Sequence, residues 1–145
     1  MSFEKTLNVQ EYVYDFAKDG GATGEIFLSS KAGYDPIPVG AVIFDVIAYV
    51  ETAVVGNSST LAWGNDDDPD GYMVATAEAS LGANVTVRAG EAAGALLWDD
   101  TNDHMLAPYV ANEDDGEFSV TIGNANLTAG KVRFYVLYLM TGTNP

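Results

Sequence analysis

The chain has 145 residues, 48% of them hydrophobic and 19% charged, which is one domain's length with enough apolar content for its own core. The absence of cysteine excludes a disulfide scaffold, a thiolate metal site and a cysteine nucleophile. Six Lys and Arg against 21 Asp and Glu, a net charge of -15, argue against binding nucleic acid or an anionic membrane surface, because both need cations in number.

The composition reads all-β, with 15 Gly, 8 Tyr, 6 Phe and many Val and Thr. Leu7, Val9, Tyr12, Tyr14 and Phe16 form an interrupted period-two pattern. It predicts a first strand with a bulge near Gln10-Glu11, residues 1–19 being either this strand or an extended arm that adds to a neighbour. Asp19-Gly20-Gly21 ends the segment with residues that tolerate positive φ. Residues 25–29 (EIFLS) are a second short strand, and Pro36 and Pro38 make a loop before the next.

Residues 39–55 are the longest apolar segment, either a strand pair or one long bent strand. Simple alternation places Val42, Phe44, Val46, Ala48 and Val50 on one face and Ile43, Asp45, Ile47, Tyr49 and Glu51 on the other. Residues 60–63 form a short strand before an acidic loop at 65–71, and 72–79 is strand or helical turn. Residues 84–88 (NVTVR) alternate, while 90–98 and 104–111 are weaker candidates. Residues 117–123 and 131–140 close the chain as two strong strands joined by a loop at 124–130. The fold class expected is an antiparallel β-sandwich of about eight strands, jelly-roll-like, in a single domain over 1–145.

The last strand is apolar on both sides. Either it lies mid-sheet with both faces covered, or its second face packs on another subunit. Phe134, Tyr135, Leu137 and Leu139 are the interface candidates.

Eleven of the 21 acids fall in three loop clusters, at 66–70, 99–103 and 113–117. Crowded carboxylates suggest a hard cation such as Ca²⁺, and Asp66-Asp67-Asp68-Pro69-Asp70-Gly71 opens like a D-x-D-x-D-G calcium loop. The twelfth position is Ala77 rather than a bidentate Glu, so an EF-hand is excluded. A cation site of other geometry at Asp66, Asp68 and Asp70 stands beside a plain solvated turn, for which Asp-Pro-Asp-Gly is already sufficient. No other cofactor is expected.

His104, the lone histidine, has Asp103 beside it but no G-x-S-x-G elbow in the chain to serve. A glycosidase carboxylate pair would need a deeper cleft than loop-tip acids provide. The chain therefore reads as a non-enzyme. Trp63, Tyr72, Trp98 and Tyr109, at strand–loop junctions, are either a carbohydrate-stacking platform or core. The N-x-[ST] triplets at Asn57, Asn84 and Asn126 read as turn chemistry. The first residues lead into no apolar signal region, and 39–50 is too short and too interrupted by Asp45 to span a membrane.

Residues 46–76, VIAYVETAVVGNSSTLAWGNDDDPDGYMVAT, resemble small β-rich structural proteins of tailed bacteriophages, with an L-x-x-G strand end and then D-x-D-G-Y. The closing VRFYVLYL after Leu127-Thr128-Ala129-Gly130 is similar to how those chains end. The resemblance covers residues 40–140 and carries no catalytic signature. It implies a virion protein of the capsid exterior, a decoration (cement) or head-fibre type. The implied partners are the major capsid protein and further copies of itself, with a homotrimer the common state. The rival reading is a receptor- or glycan-binding tip whose acidic loops hold Ca²⁺.

Overall fold

The computed structural model describes residues 7–88, 94, 96, 98–99, 104–105, 109–110 and 117–140. Among the described residues, eleven strands and one α-helical turn follow in chain order, with short 3-10 turns at Leu28–Ser30 and Glu78–Ser80. They are β1 (Asn8–Asp15), α1 (Phe16–Asp19), β2 (Gly24–Phe27), β3 (Ala41–Gly56), β4 (Thr60–Gly64) and β5 (Met73–Ala77). After these come β6 (Thr86–Val87), β7 (Trp98–Asp99), β8 (His104–Met105), β9 (Tyr109–Val110), β10 (Ser119–Gly123) and β11 (Leu127–Met140).

One sheet runs β1-β11-β3-β6, with β9 also on β3, and the second runs β2-β10-β4-β5. All pairings are antiparallel, and they nest: β1 with β11, β2 with β10, β3 with β6, β4 with β5. This is a long hairpin rolled over on itself, the jelly-roll form of the sandwich. The all-β expectation holds.

The core is the space between the sheets. Tyr12, Tyr14, Val46, Ala48, Val50, Val132, Phe134 and Val136 enter from the first sheet; Leu61, Trp63, Val120 and Ile122 enter from the second. A chain of rings crosses the layer. Tyr12 stacks on Phe118 at 4.8 Å, Phe118 meets Phe134 at 5.2 Å, and Phe134 meets Trp63 at 5.1 Å. Offset and tilted contacts of this kind add to the burial itself.

Register explains where alternation misleads. Leu137 faces Asp45 but the next residue, Tyr138, faces Ile43, so β3 carries a bulge at 43–45. The phase is reset there: Ala41 and Ile43 point inward with Val46, Ala48 and Val50, and Phe44 is exposed rather than sharing their face. β1 has no bulge, because its register on β11 is unbroken from Asn8 to Asp15. Residues 8–15 are thus a strand of the chain's own sheet, with Tyr12 and Tyr14 in its core, and are not free for donation. The 124–130 loop is shorter than expected: β11 begins at Leu127, and only 124–126 separate it from β10. At Gly130, φ is +146° and an added Cβ would press on Val54, so the irregular start of β11 requires glycine.

Candidate interaction surfaces

Because β11 lies between β1 and β3, its alternation divides the molecule. Val132, Phe134 and Val136 go to the core, while Lys131, Arg133, Tyr135, Leu137 and Leu139 face outward and are half-buried by their neighbours. Phe134 is fully buried between Trp63 and Phe118, so its place among the interface candidates is corrected: it is a core residue. Tyr135 and Leu137 share the outer face with Val9 and Ile47, their register neighbours being Glu11 and Val9 on one side and Ile47 and Asp45 on the other. Val9 is 54% exposed and Phe44 40%, so this end of the sheet presents apolar surface to solvent.

The other end of the same face is charged. Arg133 donates through Nε to Glu51 at 2.6 Å and through a second nitrogen to Glu11, and Lys131 adds an ion pair to Glu51 at 3.3 Å. The Arg133 guanidinium, hydrogen-bonded to Glu51, holds that carboxyl below the usual carboxylate range. Arg88, after β6, reaches Asp45 in the bulge at 2.6 Å. Next to this face, Lys31 donates to the Val13 carbonyl at 2.8 Å and to Asp19 at 2.9 Å. All five described cations therefore lie on or beside one sheet, and four of them pair with Glu11, Asp19, Asp45 or Glu51.

Sequence reading did not anticipate this. Lys131 and Arg133, two apart on an alternating strand, carry a readable signal that they share a face. Lys18 and Lys31 join them only through the fold. Lys18, Lys31, Lys131 and Arg133 line a cleft of about 550 Å³ with Asp15 and Asp19.

The 66–70 loop is a rigid turn. Buried Asn65 accepts at Oδ1 from the amides of Asp67 and Asp68, and its own amide and that of Gly71 donate to the Asp68 carbonyl. Asp66, Asp67 and Asp70 are exposed and Asp68 is half-buried. Burial first, and then neighbouring Asp70, push the Asp68 carboxyl above the usual range. Asp68 and Asp70 are thus brought together. Among the described residues, no group of three or more His, Asp or Glu side chains is placed to hold a metal ion, so Asp66, Asp68 and Asp70 do not form a joint set.

Other candidates are placed in structural roles. Trp63 and Tyr72 are buried in the core and unavailable for stacking a sugar. The side chains of Trp98, Tyr109, Asp99 and His104, and residues 100–103 and 111–116, lie outside the described residues. Glu117 accepts from Ser29 at 2.7 Å and Ser30 at 3.0 Å, tying the turn after β2 to the start of β10. Asn84, at φ +66°, accepts from the Tyr49 hydroxyl at 2.8 Å, and Asn126 accepts from the Thr23 amide at 3.2 Å.

No protein-family model and no curated protein matches the chain. Solved structures do. A chain in the cyanophage Pam1 capsid asymmetric unit superimposes with a TM-score of 0.66 at 17% identity, over 97% of this chain and 89% of that one. A chain of the acidic stable capsid structure of Helicobacter pylori bacteriophage KHP30 gives 0.56 at 16%, over 96% and 94%. One in the capsid of Ralstonia phage GP4 gives 0.50 at 17%, over 97% and 86%. The chain is similar in fold, nearly end to end, to proteins found in three phage capsids.

Proposed function

We propose that the chain is a structural protein of a tailed-bacteriophage virion, which decorates the capsid exterior and bridges neighbouring major capsid subunits as a homotrimer. The observation that carries this reading is the reciprocal coverage: the likeness takes in nearly all of this chain and most of each capsid chain, so what is shared is a whole jelly roll and not a fragment of one. The work proposed is mechanical. A rigid sandwich held at two or more subunits opposes their separation, and every added copy adds contacts that must break before the shell ruptures. It requires no cofactor and no catalytic residue.

The outer face of the first sheet suits such contacts. Tyr135, Leu137 and Leu139 with Val9 and Phe44 offer apolar area, and the ion pairs beside them are already formed. The acidic turn is suited to a basic patch on a shell subunit or to keeping the outer surface hydrated.

The test is the copy number of the chain per purified virion, relative to the major capsid protein, by quantitative mass spectrometry. Hundreds of copies in simple ratio to the shell subunit are expected. A few dozen or fewer would move the protein to a tail or vertex fibre, and absence from particles would overturn the reading.

A further inference from the structure

Four of the six Lys and Arg in this chain of net charge -15 line a single cleft. The cleft lies between α1, the loop after β2 and the start of β11, and holds Lys18, Lys31, Lys131 and Arg133. The two carboxylates on its wall are already engaged. Asp15 caps α1 by accepting from the Ala17 amide at 3.0 Å, and Asp19 accepts from the Asp15 amide at 2.8 Å and from Lys31.

Counting donors shows what is left over. Arg133 is held by Glu51 and Glu11. An ammonium carries three N–H groups. Lys31 uses two, on Val13 and Asp19, and lies over the Tyr34 ring at 5.6 Å, while Lys131 uses one, on Glu51. Lys18 is exposed on α1 and forms no ion pair among the described residues. The cleft thus offers N–H donors to an incoming carboxylate, chiefly from the Lys18 and Lys131 ammonium groups.

We propose that this cleft is the docking site for the acidic 66–70 turn of a second copy of the chain. The turn is built for presentation: Asn65 fixes its backbone from below, while Asp66, Asp67 and Asp70 stand exposed. Little ordering entropy is lost when it binds. Among the described residues the cleft is the one concentration of cations and the turn the densest group of exposed acids, so the two complement each other in sign.

Cleft and turn are different patches of the same chain. A contact between them is heterologous, and a heterologous contact closes into a ring where the rotation allows. A three-fold ring needs an interface of this type. The inference rests on the self-association proposed above and names the contact that produces it.

The experiment is sedimentation velocity of the intact chain at low and high salt, with three variants: Lys18→Glu, the pair Asp66→Lys with Asp67→Lys, and all three changes together. These side chains are exposed, and circular dichroism checks that each variant folds. The wild type should associate at about 50 mM NaCl and dissociate towards about 1 M, where screening shortens to about 3 Å. Lys18→Glu alone and the loop pair alone should each weaken association about three- to tenfold, the scale of exposed ion pairs turned from attraction to repulsion. The triple variant reverses the sign at both ends of the Lys18 contact and should recover part of the association that each half loses alone. A trimer indifferent to salt and to Lys18→Glu would overturn the docking site while leaving the trimer standing. A triple variant no better than the single ones would overturn it too, and a chain monomeric under all conditions would overturn both.

Discussion

Arg133 and Glu51 are not register partners, yet their side chains meet at 2.6 Å. Arg133 lies opposite Tyr49, and Glu51 falls in the slip where Val132 faces Val50 but Lys131 faces Thr52. The extra residue turns a carboxylate towards two cations of the neighbouring strand. Removing the guanidinium leaves Glu51 and Glu11 facing each other without it. Arg133→Ala should lower the melting temperature by a few degrees at low salt and by less at high salt, measured by thermal denaturation.

The same contact sets an acid limit. Glu51 has its pKa lowered in the fold by Arg133, so the stability it supplies is complete above the unfolded value of about 4.3. It is lost as pH falls through the lowered value. The stability difference between wild type and Arg133→Ala should therefore be constant from neutral pH down to about 5 and shrink below about 4. A difference that grew on acidification would contradict the assignment.

Core and outer face of β11 should separate cleanly under truncation. Phe134 packs on Trp63 and Phe118 with no exposure, and Phe134→Ala should cost about 3–5 kcal/mol, the range for a buried Phe, in chemical denaturation. Leu137→Ala, on the half-buried side, should cost well under half of that. Equal losses would mean that the outer face is as tightly packed as the inner.

How far these features were legible follows from how local their causes are. Turn chemistry is local, so Asp-Pro-Asp-Gly announced the 66–71 turn. Alternation along β11 was likewise readable, and it placed Tyr135 opposite Phe134 in facing. The bulge at 43–45 was not, because a bulge exists only relative to a partner strand, and nothing in VIFDV says that Leu137 and Tyr138 will span three residues. The basic cleft was the least legible feature. Its cations stand at 18, 31, 131 and 133, and only the pairing of β1 with β11 joins chain start to chain end. The one clue was scarcity, since six cations in 145 residues invite the question of where they gather.

The acidic turn is strained electrostatically. Asp68 is raised by burial and by Asp70, so its ionised form opposes folding. A carboxyl raised in the fold contributes stability below its unfolded value and loses it as pH rises through the folded one. Asp68→Asn should thus raise the melting temperature at pH 7, with the gain fading towards about pH 3, where both side chains are uncharged. A gain that persisted in acid would point to a packing effect instead.

Backbone crowding under that turn gives a different test. Gly64 ends β4, and an added Cβ would overlap the Asp68 carbonyl that accepts from the amides of Asn65 and Gly71. Gly64→Ala must displace this carbonyl and loosen the hydrogen bonds that shape the turn. The expected result is destabilisation of about 1–3 kcal/mol, the usual range for overpacking, with faster amide exchange at Asn65 and Gly71. Retention of slow exchange at both amides would show that the turn holds its shape independently of β4.

The apolar end of the outer face is where the structural reading is most exposed to refutation. Leu137 is half-buried between Val9 and Asp45, and its side chain is on the side away from the core. Leu137→Glu adds a charge that the open face can hydrate, so the monomer should melt within a few degrees of wild type. An interface that closes over it must bury that charge next to Asp45, and unpaired buried carboxylates are strongly penalised. Copies of the variant on assembled particles, measured against the major capsid protein, should fall by at least about tenfold, the equivalent of about 1.4 kcal/mol. Normal occupancy with an unchanged melting temperature would remove this face from the particle contact.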